Sequence, residues 1–400
     1  MADEQVDILI IGGGLTGATL MIALASAGFT TRLVEVMPFL ARTRHDFDAR
    51  TIALAPASVR ILQMLKVWPL LEKYATIIDT IHVSEQKRFG HACLQREKNS
   101  PLGYVVEMQH IHSALHQLLP HQHILAPAQL TALNSSNGKA TIRTETGETT
   151  LQARLIVAAD GADSCVRQLC GLTAVRKDYN QQALVANIGL ARHHQQVAYE
   201  RFMLSGPLAL LPMSGQRASL IWSLPPLQAA RLMAMPEHEF LNTLQREFGY
   251  RLGRFVKVGQ RAVYPLRQVI MPQLVAWPVV FVGNAAHTLH PVAAQGFNLG
   301  LRDVALLAQC IVQNGINEAM LHQYQANRCH DQAAISRLTD GLITLFSSQL
   351  PGLSVARGAG LAVFDNISWL NKPLTRYTKG FAGMAPDLVC GIPLHSQERE

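Results

Sequence analysis

The sequence predicts an α/β protein with a parallel-sheet domain, an antiparallel-sheet domain and a helical C-terminal region. Three observations predict it. A strand, a glycine-rich turn and a helix follow one another at the N-terminus, and strand-into-glycine returns twice later in the chain. Residues 177–271 carry alternating apolar segments, such as Ala183–Ile188, Tyr199–Met203 and Ala218–Trp222, broken by Gly and Pro. The last hundred residues turn to helical spacing. With 400 residues, 48% hydrophobic and 16% charged, the chain can bury a large core and is not a disordered tail.

Composition excludes several classes. The net charge of +7 comes from scattered basic residues with no long run, so no nucleic-acid arm is expected. Six cysteines (Cys93, Cys165, Cys170, Cys310, Cys329, Cys390) are dispersed and include no C-x-x-C pair, which points to reduced thiols in a cytoplasmic protein. Ile8–Thr31 has no charged residue and is long enough on paper to cross a bilayer. Its glycines at 12, 13, 14 and 17, preceded by Asp3, Glu4 and Asp7, fit a strand, turn and helix instead of a membrane span or a signal peptide.

At the N-terminus, Val6–Ile11 reads as a strand, Gly12-Gly13-Gly14-Leu15-Thr16-Gly17 as G-x-G-x-x-G, and Ala18–Ala27 as a helix ending at Gly28. Arg32–Val36 reads as a second strand carrying Glu35. Gly12 permits the tight turn, Gly14 lets the backbone approach a pyrophosphate, and Gly17 lets helix and strand pack closely. The helix N-terminus faces phosphates with unpaired N–H groups, and Glu35 is spaced to accept ribose hydroxyls. This is a Rossmann-like dinucleotide site, which by itself does not choose between NAD and FAD. Later, Leu155–Ala159 is a buried strand leading through Asp160-Gly161 into a helix. Phe281-Val282-Gly283-Asn284 repeats strand into turn, followed by Leu289-His290-Pro291. Gln295-Gly296-Phe297-Asn298-Leu299-Gly300 then opens a helix with Leu301, Val304, Ala305, Ala308 and Ile311 at helical spacing.

Taken in this order, these motifs resemble the single-component FAD aromatic hydroxylases of the para-hydroxybenzoate hydroxylase type. Phe47–Leu54, Gly206–Met213 and Gly283–Ala286 with Leu289–Pro291 resemble the ubiquinone-biosynthesis branch in particular, and the similarity runs from residue 6 to about 345. The resemblance implies a Rossmann-like FAD-binding domain at 1–72, 102–176 and 272–345. It implies a substrate domain at 73–101 and 177–271, with Ile77–Val83 adding a strand to its sheet, and a C-terminal helical region at 346–400. It implies that Gly12, Gly14 and Gly17 hold the pyrophosphate and Glu35 the adenosine ribose. Asp160 would face FAD and the nicotinamide route. Gly283, Asn284 and Pro291 belong to the late flavin motif, and Gly296, Phe297, Asn298 and Leu299 would line the flavin ring. Arg50 and Gln109 match two further flavin-contact positions. Asn284 stands where the wider family has Asp; it still hydrogen-bonds a ribitol hydroxyl but brings no charge.

The implied reaction uses NADH or NADPH and O2 to hydroxylate a polyprenylated phenol. The cofactor carries the difficult step, while the protein places the ring and excludes water. His287 and His290 flank the late motif and are candidate proton acceptors, or else backbone hydrogen-bond partners. Leu208, Leu210, Leu211, Met213 and Trp222 are candidates for an apolar pocket or for plain core. No metal site is expected: His110, His112 and His116 lack partner ligands. Cys165 and Cys170 are spaced so that they do not share a helix face. The apolar stretch Ile343, Leu345, Phe346, Leu350, Leu353 and Val355, and the later Trp369, Leu370, Lys372, Arg376, Tyr377, Lys379 and Phe381, suit a peripheral contact at the inner face of the plasma membrane, docking in a ubiquinone-biosynthesis complex, or packing on their own domain. A hydroxylase of another ring carbon, an FAD-dependent isoprenoid reductase and a non-catalytic nucleotide-binding scaffold remain alternatives.

Overall fold

The computed structural model describes residues 4–25, 27–38, 47, 50–97, 100–292, 295–348, 357, 379–381 and 385–394. Strand β1 (Glu4–Ile11), buried from Ile8 onward, passes through the glycine turn into α1 (Leu15–Leu24) and then β2 (Thr31–Val34). The helix opens earlier than the expected Ala18, because Gly14 is its extended cap (φ −63°, ψ −176°) and Leu15 already coils. It also ends earlier, at Leu24, and the second strand stops at Val34, so Glu35 lies just past the strand rather than within it. Next come β3 (Thr51–Leu54), α2 (Pro56–Met64), α3 (Trp68–Leu71), β4 (Thr76–Ile78), β5 (Thr80–Glu85), β6 (His91–Gln95), β7 (Gly103–Glu107) and α4 (Met108–Leu118). Pro56 opens α2 at its first position, where a missing N–H is harmless. Strands β8 (Ile124–Leu125), β9 (Ala128–Asn134), β10 (Lys139–Thr144) and β11 (Gly147–Ala158) precede the short α5 (Cys165–Leu169).

The middle of the chain holds β12 (Val175–Leu190), β13 (Val197–Phe202), β14 (Leu208–Met213) and β15 (Arg217–Leu224). Helices α6 (Pro226–Ala234) and α7 (Glu237–Phe248) follow, then β16 (Phe255–Val258) and β17 (Ala262–Ile270). Short strands β18 (Val275–Ala276), β19 (Val279–Phe281) and β20 (His287–Thr288) lead to α8 (Gln295–Asn314), α9 (Glu318–Ser347) and α10 (Asp387–Cys390). Of the expected C-terminal segments, Ile343, Leu345 and Phe346 lie in α9. Leu350, Leu353, Val355, Trp369, Leu370, Lys372, Arg376 and Tyr377 lie outside the described residues.

The described strands form three sheets. In the first, β1 lies between β11 and β2, with β19 beyond β11 and β8 beyond β2, all parallel. Layers on both faces explain why Ile8–Ile11 and Leu155–Ala158 are unbroken apolar runs at 0–4% exposure. The second sheet runs β20-β17-β12-β15-β14-β13-β5-β6, with β16 on β12. It is antiparallel across residues 177–271, as the alternation predicts, but its join to β5 is parallel. The strand expected at 77–83 is really two: β4 joins β7 and β3 in the third sheet, and β5 crosses to the second.

Alternation also decides the pocket candidates. Leu208, Leu210 and Trp222 point toward α6 and α7, packed with Leu184, Leu220, Phe240 and Phe248, so they are core. Leu211 and Met213 project to the opposite face with Ile78, Leu102, Val105 and Ala198.

The close approach of α1 to β1 carries the first prediction. A Cβ built on Gly17 would lie 2.0 Å from the Gly12 carbonyl oxygen, and nothing in that backbone contact can yield. Gly17→Ala is expected to lose more than about 4 kcal/mol of stability. Gly341→Ala, an open position in α9, is expected to gain about 0.5–1 kcal/mol. Urea titration of the two variants against the parent protein checks both signs.

Candidate functional site

The site begins where β1 ends. Gly12 has φ +103°, and a Cβ there would meet the Ala159 carbonyl oxygen at 2.5 Å, which ties the first glycine turn to the end of β11. Gly14 caps α1 with no side chain on the free N–H groups and no acid in the first turn, so the helix end is electropositive. A Cβ on Gly14 meets nothing within 4 Å. Glu35 has a use the sequence does not reveal: Oε2 accepts from the Gly13 N–H at 2.6 Å and Oε1 from the Met37 N–H at 2.9 Å. The acid thereby fixes the glycine turn against the end of β2 and keeps lone pairs for a ribose.

The two later motifs converge on the same place. Asp160 follows β11, and its Oδ2 accepts from the Val166 N–H at 3.1 Å and from the Cys165 thiol at 3.2 Å. Its Oδ1 is buried without a partner among the described residues. Gly283, at φ +55°, leaves no room for a Cβ beside Thr16, whose Oγ1 would be 2.7 Å away. A Cβ on Gly300 would lie 3.2 Å from that same Oγ1. Thr16 of α1, the Gly283 turn and the second turn of α8 therefore meet. Asn284 is exposed on that turn, Pro291 is half-buried, and Gly296 has open space beside it. Phe297 is half-buried and packs on the large core, whereas Leu299 is fully buried.

Asn298 faces the protein. Its Oδ1 accepts from the Ala55 N–H at 2.8 Å and the Ser58 hydroxyl at 2.7 Å, and its Nδ2 donates to the Ala53 carbonyl at 3.0 Å. It pins α8 to β3 and α2, so any part it takes at the ring plane falls to its backbone. Arg50 is exposed, with its carbonyl accepting from the Met108 N–H at 2.7 Å. Burial, and then the nearby Arg50, push the pKa of His112 down, while Glu35 opposes them. The Gln109 amide donates to Glu107 Oε2 at 2.9 Å, and Glu107 Oε1 accepts from Arg217 at 2.7 Å.

Both candidate histidines are buried, each 1% exposed. His287 Nε2 lies 2.6 Å from Asp303 Oδ2, so its partner is a carboxylate and not backbone. His290 Nδ1 accepts from the Val292 N–H at 3.3 Å, and its ring meets Tyr179 edge-on. Burial, opposed by Asp340, pushes the pKa of His290 down to about 4. Sequence reasoning missed Asp303, although Arg302-Asp303 inside an apolar helix was its signal. Asp303 Oδ2 also accepts from the Gly283 N–H at 2.9 Å; its Oδ1 accepts from Arg328 at 2.7 Å and Gln332 at 3.3 Å. Asp331 joins Arg328 to Arg302.

The remaining features are structural in character. Burial first, and then Asp160, push the Cys165 thiol up to about 12, far from a redox thiolate. His110 stacks on Tyr74, and His116 tilts against His121. Among the described residues one group, His82, His91 and Cys93, brings possible metal-ligand atoms within 4.8 Å of one another. Arg251 donates to the His82 ring, and burial, Arg251, His91 and Arg201 together push His82 down to about 4, a neighbourhood that repels a cation. Among the described residues, no helix is long and apolar enough to cross a membrane.

A Rossmann-like sheet whose three glycine segments meet at one helix end, in a chain that also carries an antiparallel sheet, defines a FAD-dependent aromatic monooxygenase. The family model for the FAD binding domain matches residues 5–338. The chain belongs to that FAD-binding family, in its ubiquinone-biosynthesis branch. It is 35% identical to ubiquinone hydroxylase UbiL of Rhodospirillum rubrum over 98% of this chain and 94% of that protein. It is 31% identical to the 3-demethoxyubiquinol 3-hydroxylase of Escherichia coli, over 95% and 100% of the two chains. The solved structure of p-nitrophenol 4-monooxygenase from Pseudomonas putida shares the fold, with a TM-score of 0.78, 16% identity and coverage of 95% and 99%.

Asp303 gives a prediction with a definite sign. Burial alone would raise its pKa, but His287 and Arg328 override it and hold the carboxyl well below its ordinary 3.8. Its stabilising contribution is therefore complete above about pH 4 and is lost as pH falls through the depressed folded value. Asp303→Asn is expected to cost about 3–5 kcal/mol at neutral pH, because Arg328 loses a buried counter-charge. Thermal melts should show the gap between parent and variant narrowing below about pH 4.

Proposed function

We propose that this chain is a 2-octaprenyl-6-methoxyphenol hydroxylase, a FAD enzyme that uses NADH or NADPH and O2 to hydroxylate the ring of a polyprenylated phenol. The observation that carries the reading is the meeting of Gly12–Gly17, Asp160, Gly283–Asn284 and Gly296–Gly300 around Thr16 and the free end of α1. The fit to FAD rests on three features. These are the open space at Gly14 and Gly296, the unpartnered Asp160 Oδ1, and the exposed Asn284 amide. The pyrophosphate would sit on the N–H groups of α1, the ribose on Glu35 and the ribitol chain against Asn284 and Asp160. Arg50 and Gln109 would complete the rim, with Pro291 and the Gly296–Leu299 backbone beside the ring. Bound flavin supplies hydride acceptance and O2 activation for transfer of one oxygen atom to an electron-rich ring.

The protein's own share is orientation and dryness. The face of the second sheet that carries Ala183, Val185, Ala209, Leu211 and Ile221 turns away from α6 and α7 and offers an apolar wall for ring and tail. Such a substrate partitions into bilayers, which favours peripheral contact at the inner face of the plasma membrane and work beside other ubiquinone-pathway proteins. One second reading has specific support. The likeness to the 3-demethoxyubiquinol 3-hydroxylase of Escherichia coli allows attack at another ring carbon.

The purified protein is expected to show flavin absorbance, to be reduced anaerobically by NADH or NADPH, and to take up O2 in proportion to added short-chain 2-prenyl-6-methoxyphenol. Mass and NMR analysis of the product fix the carbon attacked. Reduction without oxygen in the product would transfer the assignment to an isoprenoid reductase. Failure to bind FAD at all would remove the reading. Gly14→Val is expected to keep the parent's melting temperature in the flavin-free form while weakening FAD binding by about 10²-fold or more, since a side chain there enters the pyrophosphate space. Flavin fluorescence titration measures the loss.

A further inference from the structure

We propose that Glu200 is the proton acceptor for the ring hydroxyl of the substrate, an inference that rests on the hydroxylase reading above. On β13, Tyr199 packs edge-on against Phe248 of α7, so the alternate residues Ala198, Glu200 and Phe202 project to the other face of the sheet. Strand register makes the row through Glu200 explicit: Val83, Glu200, Ala209, Ile221, Val185 and Ala262 stand side by side on successive strands. Every other member is apolar. Along β13 its neighbours on that face are Ala198 and Phe202, the latter stacked on Phe346 at 3.8 Å. A carboxyl thus stands in an apolar row of the wall proposed to receive the ring.

This face lies over the flavin side of the molecule. Ala198 and Met213 pack with Ile78 and Val105 of the third sheet, and the Asn187 amide donates to the Phe47 carbonyl at 2.6 Å, just before Arg50. Among the described residues, the charged groups on this side include Glu85, paired with Arg357 at 2.6 Å, and Glu107, paired with Arg217 at 2.7 Å. Beside Glu200, β14, β15 and β12 contribute Ala209, Ile221 and Val185, none of them ionisable, and α9 contributes Phe346. Arg201, His82 and Arg251 lie on the opposite face. Glu200 Oε1 is buried and has no hydrogen-bond partner among the described residues.

Glu200 is half-buried, and a carboxyl oxygen buried without a partner is costly, so a ligand hydroxyl at Oε1 satisfies an existing demand. Burial pushes the Glu200 pKa up to about 7, close to where a general base works best. In the step itself the phenol O–H bond breaks, a new O–H bond forms at Glu200 Oε1, and the electron pair stays on the phenolate oxygen. Nothing is oxidised or reduced. The phenolate is richer in electrons at the ortho and para carbons, where oxygen is to be inserted, and the carboxyl returns its proton to water when product leaves.

The test uses flavin-loaded enzyme and the variants Glu200→Gln and Glu200→Asp. Short-chain 2-prenyl-6-methoxyphenol is titrated into oxidised enzyme between about pH 5 and 9 while ultraviolet difference spectra follow its ionisation. The parent enzyme is expected to hold the phenolate with a transition near neutrality. The Gln variant should bind the neutral phenol throughout that range, and the Asp variant should recover part of the phenolate signal. Hydroxylated product formed per NAD(P)H consumed is expected to fall by about 10²-fold in the Gln variant, with FAD occupancy unchanged. A Gln variant that ionises and hydroxylates the phenol as the parent does overturns the assignment of Glu200 alone. A parent enzyme that reduces its flavin yet hydroxylates no prenylphenol overturns the functional reading, and this assignment with it.

Discussion

Asp303 is a fully buried carboxylate that receives four donors: the Gly283 N–H, the His287 ring, the Arg328 guanidinium and the Gln332 amide. These donors belong to the late glycine turn, to β20 and to α9, so one side chain on α8 holds three segments in register. The geometry of the turn that presents Asn284 depends on it. So does the approach of Gly283 and Gly300 to Thr16, because the turn must be drawn down before α1 can fit against it. A buried charge cluster of this kind gives little net stability compared with an apolar core, but its geometry is demanding. It spends that strictness on the late flavin motif.

How much of this was legible in the chain follows from the physics of each part. Gly12 and Gly17 could be given their roles from sequence because a tight turn at positive φ and a clash with a carbonyl five residues back are local matters, whereas the closeness of Gly12 to Ala159 was not legible. The buried parallel strands were legible for a similar reason, since covering on two faces demands uninterrupted apolar runs. Asp303 was not legible as a hub, because its partners stand on α9, which no local pattern links to the Gly283 turn. Asn298 shows the same limit. Its place in the motif suggested a flavin contact, whereas its side chain closes three hydrogen bonds to Ala53, Ala55 and Ser58, far away in sequence.

The sheet shows a different limit. Alternation predicted antiparallel strands at 177–271, yet composition could not say which of the alternating faces looks toward α6 and α7. Leu208, Leu210 and Trp222 go to the helices, so the face proposed for substrate is the one with smaller and fewer apolar groups, and Glu200 among them. Read along the chain, Glu200 between Tyr199 and Arg201 looks like an ordinary surface charge. Only strand register places it in an apolar row.

The division of labour between the sheets explains why few side chains announce themselves as chemical. One sheet is built around backbone features, the other around a wall. The second sheet is also assembled from two separated stretches of chain, since β5 and β6 precede β11 while their neighbour β13 follows it. During synthesis the β5–β6 hairpin therefore exposes an open strand edge until β13 has been made, and the parallel pairing between them closes a long loop. The order of assembly is set accordingly: the nucleotide-binding sheet can gather most of its strands first, and the cover is completed only when the chain returns to it, leaving that edge as the place where a nascent molecule is most prone to pair with the wrong partner.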